Sequence, residues 1–280
     1  MKKILILIFF CCTQSLYAKT KLIYSSQHVI ELEEFKIDNI ETLYNSENGF
    51  RPTLYFDFLN DRQLILSKGN GEIYIFNKVK KEFKKKRTNL NQIFLDQLKI
   101  SKNYKQRFGG PGIRDIKVDI ENNNLYVTLI STDENHCLRL ELLNASIKDL
   151  FFNKVWETPC VEMSNAHSTG GTIEIDKKYI YLTVGDFWHE NNNNAQNLKS
   201  YFGKILRFDK TKILKKEKNA HPKIFSIGHR NPQGLQILKN NRLIATEHGP
   251  AGGDEINIIK KNKNYGWPIV SSGQPYNLKD

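Results

Sequence analysis

Long apolar runs are scarce in this sequence of 280 residues. The one clear run, Ile4–Cys12, is too short to span a bilayer, and no other segment is apolar enough to do so. A linker rich in Pro or Ser is also missing, which argues against two domains joined by a flexible connection. The mature chain is therefore expected to form one large domain without a transmembrane span.

Cysteine is scarce as well. Two of the four cysteines, Cys11 and Cys12, lie in the apolar N-terminal run. The other two, Cys137 and Cys160, allow two interpretations: a disulfide formed in an oxidising compartment, or two small buried side chains. The sequence leaves this choice open.

The N-terminus has the pattern of an export signal. Lys2 and Lys3 precede the short apolar run, and Ala18 offers a small residue for cleavage. We predict a signal peptide over residues 1–18 and a mature domain over residues 19–280. The mature protein is then expected to be periplasmic or secreted, with no membrane insertion after cleavage.

Negative charge is in the minority, with 30 Asp and Glu against 42 Lys and Arg and a net charge of +12. A basic chain can bind nucleic acid or membranes. The lysines are scattered, however, apart from one dense run at Lys78–Arg87. We interpret this run as a solvated loop and, because the chain carries an export signal, predict no nucleic-acid partner.

Alternating strand-like segments dominate the rest of the chain, and they form a repeat. Each copy has an apolar strand, a polar turn, a second apolar strand, a loop and a third strand. The second strands of the copies begin at Leu64, Leu125, Ile180 and Leu243. This interval of about 60 residues predicts blades of an all-β β-propeller. A two-sheet sandwich, the alternative, does not predict recurrence of the whole unit.

Two unusual polar residues occupy the same position in the repeat. His167 and Arg230 stand equally far before the second strands of the third and fourth copies, in the loop that enters the first strand. Equivalent loops of a propeller converge on one face. His167 is thus a candidate general base, and Arg230 a candidate partner for a carboxylate. Each also has a structural interpretation, His167 as a turn cap and Arg230 as an ion-pair partner of Glu247.

The stretch Glu247–Pro268 is read as a hairpin between the second and third strands of the fourth copy. Its turn is rich in Gly and Pro, and paired acids follow at Asp254 and Glu255. Backbone carbonyls at Gly249 and Pro250, beside carboxylates, are oxygen ligands of the kind that Ca²⁺ takes. The alternative is a plain hairpin with a solvated acidic edge. A further polar loop, between Thr183 and Lys204, is expected to be a flexible surface excursion.

Four motifs resemble one known family. In order, they are Gly228–Leu235 (GHRNPQGL), Thr246–Pro250 (TEHGP), Gly253–Asn257 (GDEIN) and Asn264–Pro268 (NYGWP). Together they resemble the soluble glucose/sorbosone dehydrogenases, which include aldose sugar dehydrogenases dependent on pyrroloquinoline quinone (PQQ). The resemblance implies a six-bladed β-propeller exported to the periplasm, with PQQ and Ca²⁺ bound on one face.

The resemblance also assigns roles to residues of this chain. His167 matches the family's catalytic base, which takes the proton from the sugar C1 hydroxyl while hydride passes to the quinone. Arg230 and Asn231 match the pair that contacts PQQ. An aldose sugar is the implied substrate, and an external electron acceptor is implied as a partner.

Two metal positions are implied as well. The backbone carbonyls of Gly249 and Pro250 match those that hold Ca²⁺ against PQQ. Glu255 and Tyr265 match positions that bind a second, structural Ca²⁺ in several members of the family.

The chain departs from the family pattern in length. Six blades at this repeat need about a third more chain, so we expect an incomplete propeller with about four to five blades, which is most simply a fragment. The segment at His167 is also one residue longer than the family's His-x-Gly-Gly. These departures keep an alternative function open, a non-catalytic propeller that binds a protein or a glycan. A Ca²⁺-dependent lactonase ranks last, because the proposed ligands are mostly carbonyls.

Overall fold

The computed structural model of this protein is almost entirely β-structure. It describes two short strands near the N-terminus and residues 54–93, 112–133, 137–162, 168–187 and 192–274. The chain divides into two compact units, Met1–Asn45 and Ser46–Asp280. Within the described residues, no helix is long and apolar enough to cross a membrane.

In the first unit the structure describes an antiparallel pair of strands, β1 (Ile23–Ser25) and β2 (His28–Ile30). The predicted signal peptide, residues 1–18, lies outside the described residues. The predicted boundary after residue 18 therefore stays a prediction.

The second unit contains four antiparallel sheets that follow one another along the chain. The first sheet has β3 (Leu54–Asn60), β4 (Gln63–Lys68), β5 (Ile73–Asn77) and β6 (Glu82–Lys86). The second has β7 (Gly112–Asp119), β8 (Asn124–Thr132), β9 (Cys137–Ser146) and β10 (Asn153–Glu157), and β11 (Val161–Glu162) also pairs with β9. The third has β12 (Gly170–Ile175), β13 (Tyr179–Val184), β14 (Lys204–Asp209) and β15 (Lys223–Ile227). The fourth has β16 (Pro232–Ile237), β17 (Leu243–Glu247) and β18 (Glu255–Ile259).

Within the described residues, the helical segments lie in the connections between these strands. They include two 3₁₀ turns, Ile120–Asn122 and Asn192–Ala195, one α-helix, α1 (Lys210–Leu214), and the helical residues 90–93. The side chain of Asp209 accepts from the backbone N–H groups of Thr211 and Lys212 and so caps α1.

Asn and Asp side chains form the tight turns between first and second strands. Asn60 Oδ1 accepts from the N–H of Arg62, and Asp176 Oδ1 accepts from that of Tyr179. Asn123 and Asn241 have positive φ angles of 49° and 59°, a backbone conformation that Asn tolerates better than most residues. The polar turns expected in the four copies are confirmed.

Each sheet buries apolar side chains on its faces against its neighbours. On β8, Leu125, Val127 and Leu129 join the core shared with the first sheet, while Tyr126 and Ile130 join the core shared with the third. A third core lies between the third and fourth sheets. Because successive side chains on a strand point to opposite faces, one strand serves two cores.

The first strands of successive sheets lie side by side, with β3 against β7, β7 against β12 and β12 against β16. Two aspartates bridge them in the same manner. Asp57 Oδ2 accepts from the N–H of Val118 at 2.8 Å, and Asp115 Oδ2 accepts from that of Ile173 at 2.7 Å. Together these features form the four-blade arrangement of a β-propeller, and the predicted all-β class and repeat are confirmed.

One sequence-based expectation about this unit is wrong. The basic run Lys78–Arg87 is a loop only in part, because half of it, Glu82–Lys86, forms β6, the outer strand of the first sheet. Its lysines leave no apolar alternation to reveal a strand. Charged side chains are common on such edges, where they oppose pairing with other chains.

Cys137 and Cys160 form a disulfide, which decides between the two interpretations of this pair. The bond ties the start of β9 to the segment that leads into β11. It closes a loop between residues 23 positions apart in sequence.

We expect the double variant Cys137→Ser, Cys160→Ser to lose about 3 kcal/mol of unfolding free energy, because the open loop gains entropy in the unfolded chain. Urea denaturation measures the loss. A reductant should weaken the wild type to the same extent and leave the double variant unchanged. Equal stability of wild type and variant would contradict the expectation.

Candidate functional site

Two loops carry most of the predicted site residues. Gly228–Asn231 leads into β16, and residues 248–254 connect β17 to β18. Pro232, the first residue of β16, pairs with Glu247, the last residue of β17. The two loops therefore leave the same end of the fourth sheet, a point that the repeat alone left open.

A narrow cleft opens between these loops. Its lining includes Arg230, Glu247, Gly249, Glu255 and Tyr265, and we call it the Arg230 cleft. Four of the predicted site residues are thus brought together. The cleft has a volume of about 10 Å³, which is room for one water molecule or one ion.

Glu247 is the polar centre of the cleft floor. Its Oε1 accepts from Asn257 Nδ2 at 2.8 Å and lies 3.1 Å from His229 Nδ1, and its Oε2 accepts from the N–H of Arg230 at 3.0 Å. Burial by itself raises the pKa of this carboxyl, but the hydrogen bonds from His229, Arg230 and Asn257 outweigh it and hold the pKa below its usual value. Glu247 is therefore ionised at neutral pH.

His229 is fully buried behind this carboxylate. Its Nε2 lies 2.8 Å from Ser226 Oγ, and its ring stacks on the ring of Tyr265 with centroids 4.8 Å apart. The Ser226, His229 and Glu247 side chains form a hydrogen-bonded line, but the first two have no solvent exposure. The line therefore positions Glu247 and is closed to a substrate.

Arg230 places a buried guanidinium at the cleft. Its Nη1 donates to the carbonyl oxygens of His248 at 3.1 Å and Gly249 at 2.5 Å. Its Cζ lies 5.4 Å from the centre of the Trp267 ring. Glu247 and Arg230 are structural partners through the backbone N–H group of Arg230, which donates to the carboxylate. A desolvated guanidinium in this setting is suited to a carboxylate or another anion.

Trp267 is fixed from two sides. Its indole Nε1 donates to Asp186 Oδ2 at 2.8 Å, and its carbonyl accepts from Gln196 Nε2 at 2.6 Å. Gln196 also exchanges hydrogen bonds with the side chain of Asn264. The part of the loop around Gln196 thus contacts the site. The expected flexible surface excursion is wrong for this part of the loop, while residues 188–191 lie outside the described residues.

Asn231 joins the third and fourth sheets. Its Oδ1 accepts from the N–H of Gly170 at 3.2 Å, and its carbonyl accepts from the N–H of His248 at 3.1 Å. The adjacent Arg230 carbonyl accepts from the N–H of Asp186. His167, the predicted base, lies outside the described residues, so its role stays a prediction.

The predicted metal ligands differ in what they can offer. The Gly249 carbonyl accepts from Arg230, so a cation there would have to replace the guanidinium. Pro250 does not line the cleft; its ring packs so closely on Gly273 that a side chain there would collide with it. Asp254 folds back on its own loop and accepts from the N–H of Gly249.

Glu255 and Tyr265 fit a cation better. Tyr265 lines the cleft, while its phenol donates to the Ile258 carbonyl and accepts from the N–H of Lys260. Glu247 and Glu255 add two carboxylates. Oxygen ligands and space for one ion fit Ca²⁺. Among the described residues no cluster of three or more His, Cys, Asp or Glu side chains could hold a metal, so carbonyls would complete the shell.

An organic cofactor does not fit inside the Arg230 cleft, because such molecules occupy pockets of roughly 300 Å³ or more. It would lie across the mouth, where the guanidinium and the Trp267 ring are. Sequence reasoning missed His229, Trp267 and Gln196 as site residues. The signal was present for Trp267 and His229, which belong to the motifs quoted above, but nothing in Gln196 itself pointed to the cleft.

We expect Glu247→Gln to lower the unfolding free energy by about 2–3 kcal/mol, because its amide NH₂ leaves at least one buried donor without an acceptor. Glu255→Gln, at a half-buried position with one hydrogen bond to Asn257, is the matched control and should lose less than about 1 kcal/mol. Urea denaturation measures both.

The loss should also depend on pH. The folded-state pKa of Glu247 is lowered below the ordinary value of 4.5, so its contribution is fully present above pH 4.5 and disappears as the pH falls through the folded-state pKa. The difference between wild type and Glu247→Gln should therefore shrink in acid. A difference that stays constant down to pH 3 would contradict this role.

Comparison with known proteins places these features in a family. The family model for glucose / sorbosone dehydrogenase matches residues 51–280. The chain is 41% identical over 125 residues to aldose sugar dehydrogenase YliI of Escherichia coli (strain K12), covering 41% of this chain and 33% of that protein. It is 29% identical over 180 residues to quinoprotein glucose dehydrogenase B of Acinetobacter calcoaceticus, covering 53% of this chain and 38% of that protein.

The fold is shared with solved structures of such enzymes. The PQQ-bound form of aldose sugar dehydrogenase from Streptomyces coelicolor superposes with a TM-score of 0.55 at 22% identity, covering 75% of this chain and 60% of that one. The matched part of the chain spans well under two thirds of the two relatives. The family match nevertheless extends over most of the sequence and includes every described residue of the Arg230 cleft, and the chain belongs to the glucose/sorbosone dehydrogenase family.

Proposed function

We propose that this chain provides the cofactor-binding part of an oxidoreductase that oxidises aldose sugars at C1 with PQQ and Ca²⁺, in the periplasm or outside the cell. The observation that carries the proposal is the buried guanidinium of Arg230, fixed between the Gly249 turn and Trp267 at the mouth of an acid-lined cleft. PQQ is a planar tricarboxylate, so a positive charge beside an aromatic ring suits it. Membership of the family and the named quinoprotein relative support the same reading.

Arg230 and Asn231 would hold PQQ across the mouth of the cleft. Glu247 and His229 keep the Arg230 backbone in place, so the guanidinium does not have to be ordered when the ligand binds. The Gly249 and Pro250 carbonyls would hold the Ca²⁺ of the cofactor, which requires Arg230 to release Gly249. Glu255 and Tyr265 would hold a second Ca²⁺ inside the cleft.

The chemistry would be divided between the cofactor and the protein. PQQ supplies a two-electron acceptor whose quinone oxygens Ca²⁺ polarises. His167 would take the proton of the sugar C1 hydroxyl, as the C1 hydride leaves with its electron pair. An external acceptor would then remove the two electrons, which closes the cycle.

The four sheets are proposed to be four blades of a six-bladed propeller. Ile256 and Ile258 on β18 are 73% and 47% exposed, and Phe58 on β3 is 43% exposed. These side chains make the outer faces of the first and fourth sheets partly apolar. Apolar faces of the same kind are buried at the three interfaces between the sheets. Additional blades against both faces would cover them.

We expect Arg230→Gln to weaken PQQ binding roughly 10- to 100-fold, because one charge-assisted hydrogen bond to a carboxylate is lost. Isothermal titration of the full chain with PQQ in Ca²⁺-containing buffer measures the affinity. Arg242→Gln, at an exposed position in the turn between β16 and β17, is the matched control and should bind as the wild type does.

Failure of the folded wild-type chain to bind PQQ would overturn the proposal and favour a non-catalytic propeller that recognises a protein or a glycan. Glycan arrays and pull-downs with the same protein would then identify that partner.

Loss of the base should affect turnover and leave the cofactor bound. We expect His167→Gln to lower kcat for aldose-dependent dye reduction by roughly 10²- to 10⁴-fold with an unchanged PQQ affinity. The assay uses the chain together with any further blades of the protein. An equal loss in His189→Gln, a second histidine outside the described residues, would argue against a specific role for His167.

A further inference from the structure

Lys204 is a fully buried lysine at the start of β14. Its Nζ donates to three backbone carbonyls, those of Asn194 at 2.7 Å, Ala195 at 2.9 Å and Phe202 at 2.7 Å. Burial lowers its pKa to about 8. An ammonium group with three N–H donors matches three carbonyls in the way that a small metal cation would.

All three acceptors belong to the loop that connects β13 to β14. This loop folds closely around the lysine, because Gly203 has a φ of +66° and a Cβ there would lie 2.5 Å from the Ala195 Cβ. The hydrogen bonds to Ala195 and Phe202 are buried and the one to Asn194 is partly buried, and buried carbonyls need a donor from the protein. Lys204 provides that donor to all three.

The loop in turn contacts residues around the Arg230 cleft at several points, and two of them, Ala195 and Gln196, lie beside the lysine. The Ala195 carbonyl, already bound to Lys204, also accepts from the N–H of Gly228 at 3.0 Å. The next residue, Gln196, donates to the Trp267 carbonyl at 2.6 Å. Gly228 and Trp267 are themselves joined, since the N–H of Trp267 donates to the Gly228 carbonyl at 3.0 Å.

We propose that Lys204 is a positioning residue for the Arg230 cleft, a built-in cation that holds the carbonyls of residues 194, 195 and 202 and, through Ala195 and Gln196, sets the position of Gly228 and Trp267. Trp267 is the ring against which Arg230 lies. Lys204 thus controls the cleft without touching it. The alternative is that Lys204 stabilises the third sheet as a whole and has no specific effect on the cleft.

The two hypotheses predict faster amide hydrogen exchange in different parts of the chain when the ammonium group is removed. Lys204→Met keeps the length and apolar stem of the side chain but removes every donor. Under the proposal, amide hydrogen exchange accelerates by about 10-fold or more at residues 194–203, Gly228 and Trp267, while peptides from the first sheet exchange as in the wild type. Lys199→Met, at an exposed lysine of the same loop, is the matched control and should change nothing.

Uniform acceleration in all four sheets would overturn the proposal, since Lys204 would then be a general stabiliser. So would acceleration that stops at residues 194–203 and leaves Gly228 and Trp267 unchanged.

A second measurement tests the hydrogen bonds to the three carbonyls around Lys204. Lys204→Ala leaves a hole lined by the three carbonyls, which propylammonium can enter. Propylammonium should restore slow exchange at Gly228 and Trp267, whereas tetramethylammonium, which has the same charge but no N–H group, should not. Equal effects of the two salts would contradict the role of the N–H donors.

If both Lys204 variants fail to fold, Gln196→Ala carries the test. It cuts the link between the loop and Trp267 and leaves Lys204 intact. We expect faster exchange at Trp267 with slow exchange retained at Ala195, and no change at Trp267 would overturn the proposal. These experiments use neither cofactor nor sugar, so a negative result in them does not affect the proposed function. In the same way, a failure to bind PQQ does not affect the inference about Lys204.

Discussion

The need to bury two apolar faces on each inner sheet is the constraint on which the rest of this structure depends. All nine residues of β8 are buried, and its apolar side chains alternate between the cores on either side of the second sheet. A sheet with two apolar faces requires a neighbour on both, so successive sheets stack with their first strands side by side. That stacking brings the loops of the third and fourth sheets to one end, where Asn231 meets Gly170 and Arg230 meets Asp186.

Loops brought together in this way have buried backbone N–H and carbonyl groups. Two buried charges of opposite sign, Glu247 and Lys204, form hydrogen bonds with some of these groups. Glu247 accepts from the backbone and side chains behind Arg230, and Lys204 donates to the carbonyls of the loop beside it. Buried charges are expensive unless several hydrogen bonds compensate them. Here each charge has three polar partners, which explains why the cleft can hold a desolvated guanidinium in a defined place.

The repeat was predictable because its signals are local. Period-two alternation and Asn or Asp turns depend on neighbouring residues alone, and all four expected copies are present as sheets. The same local rules explain the errors. An outer strand such as β6 has too many lysines to show alternation. Residues 192–203 look like a surface loop because their links to the site are backbone carbonyls, which every residue possesses, and one glutamine side chain.

The site was predictable only in part. The motifs marked Arg230, Gly249, Glu255 and Tyr265, and the structure brings these four residues to one cleft. It also shows two hydrogen bonds that no motif could reveal. The carbonyl of Gly249 accepts from Arg230, and the side-chain oxygen of Asn231 accepts from the N–H of Gly170. Hydrogen-bond partners of this kind are set by distances between loops far apart in sequence.

The sequence by itself determined the first three strands of each sheet, their order, the turn residues and the family, because these follow from the periodicity of side chains and from short motifs. Only the tertiary structure decided that Cys137 bonds Cys160, that the two loops beside Arg230 share one end of the fourth sheet, and that Lys204 supports a cleft it does not line. The physical reason is that each of these depends on where separate segments meet once the sheet faces are packed. Burial then decides which polar groups must find one another.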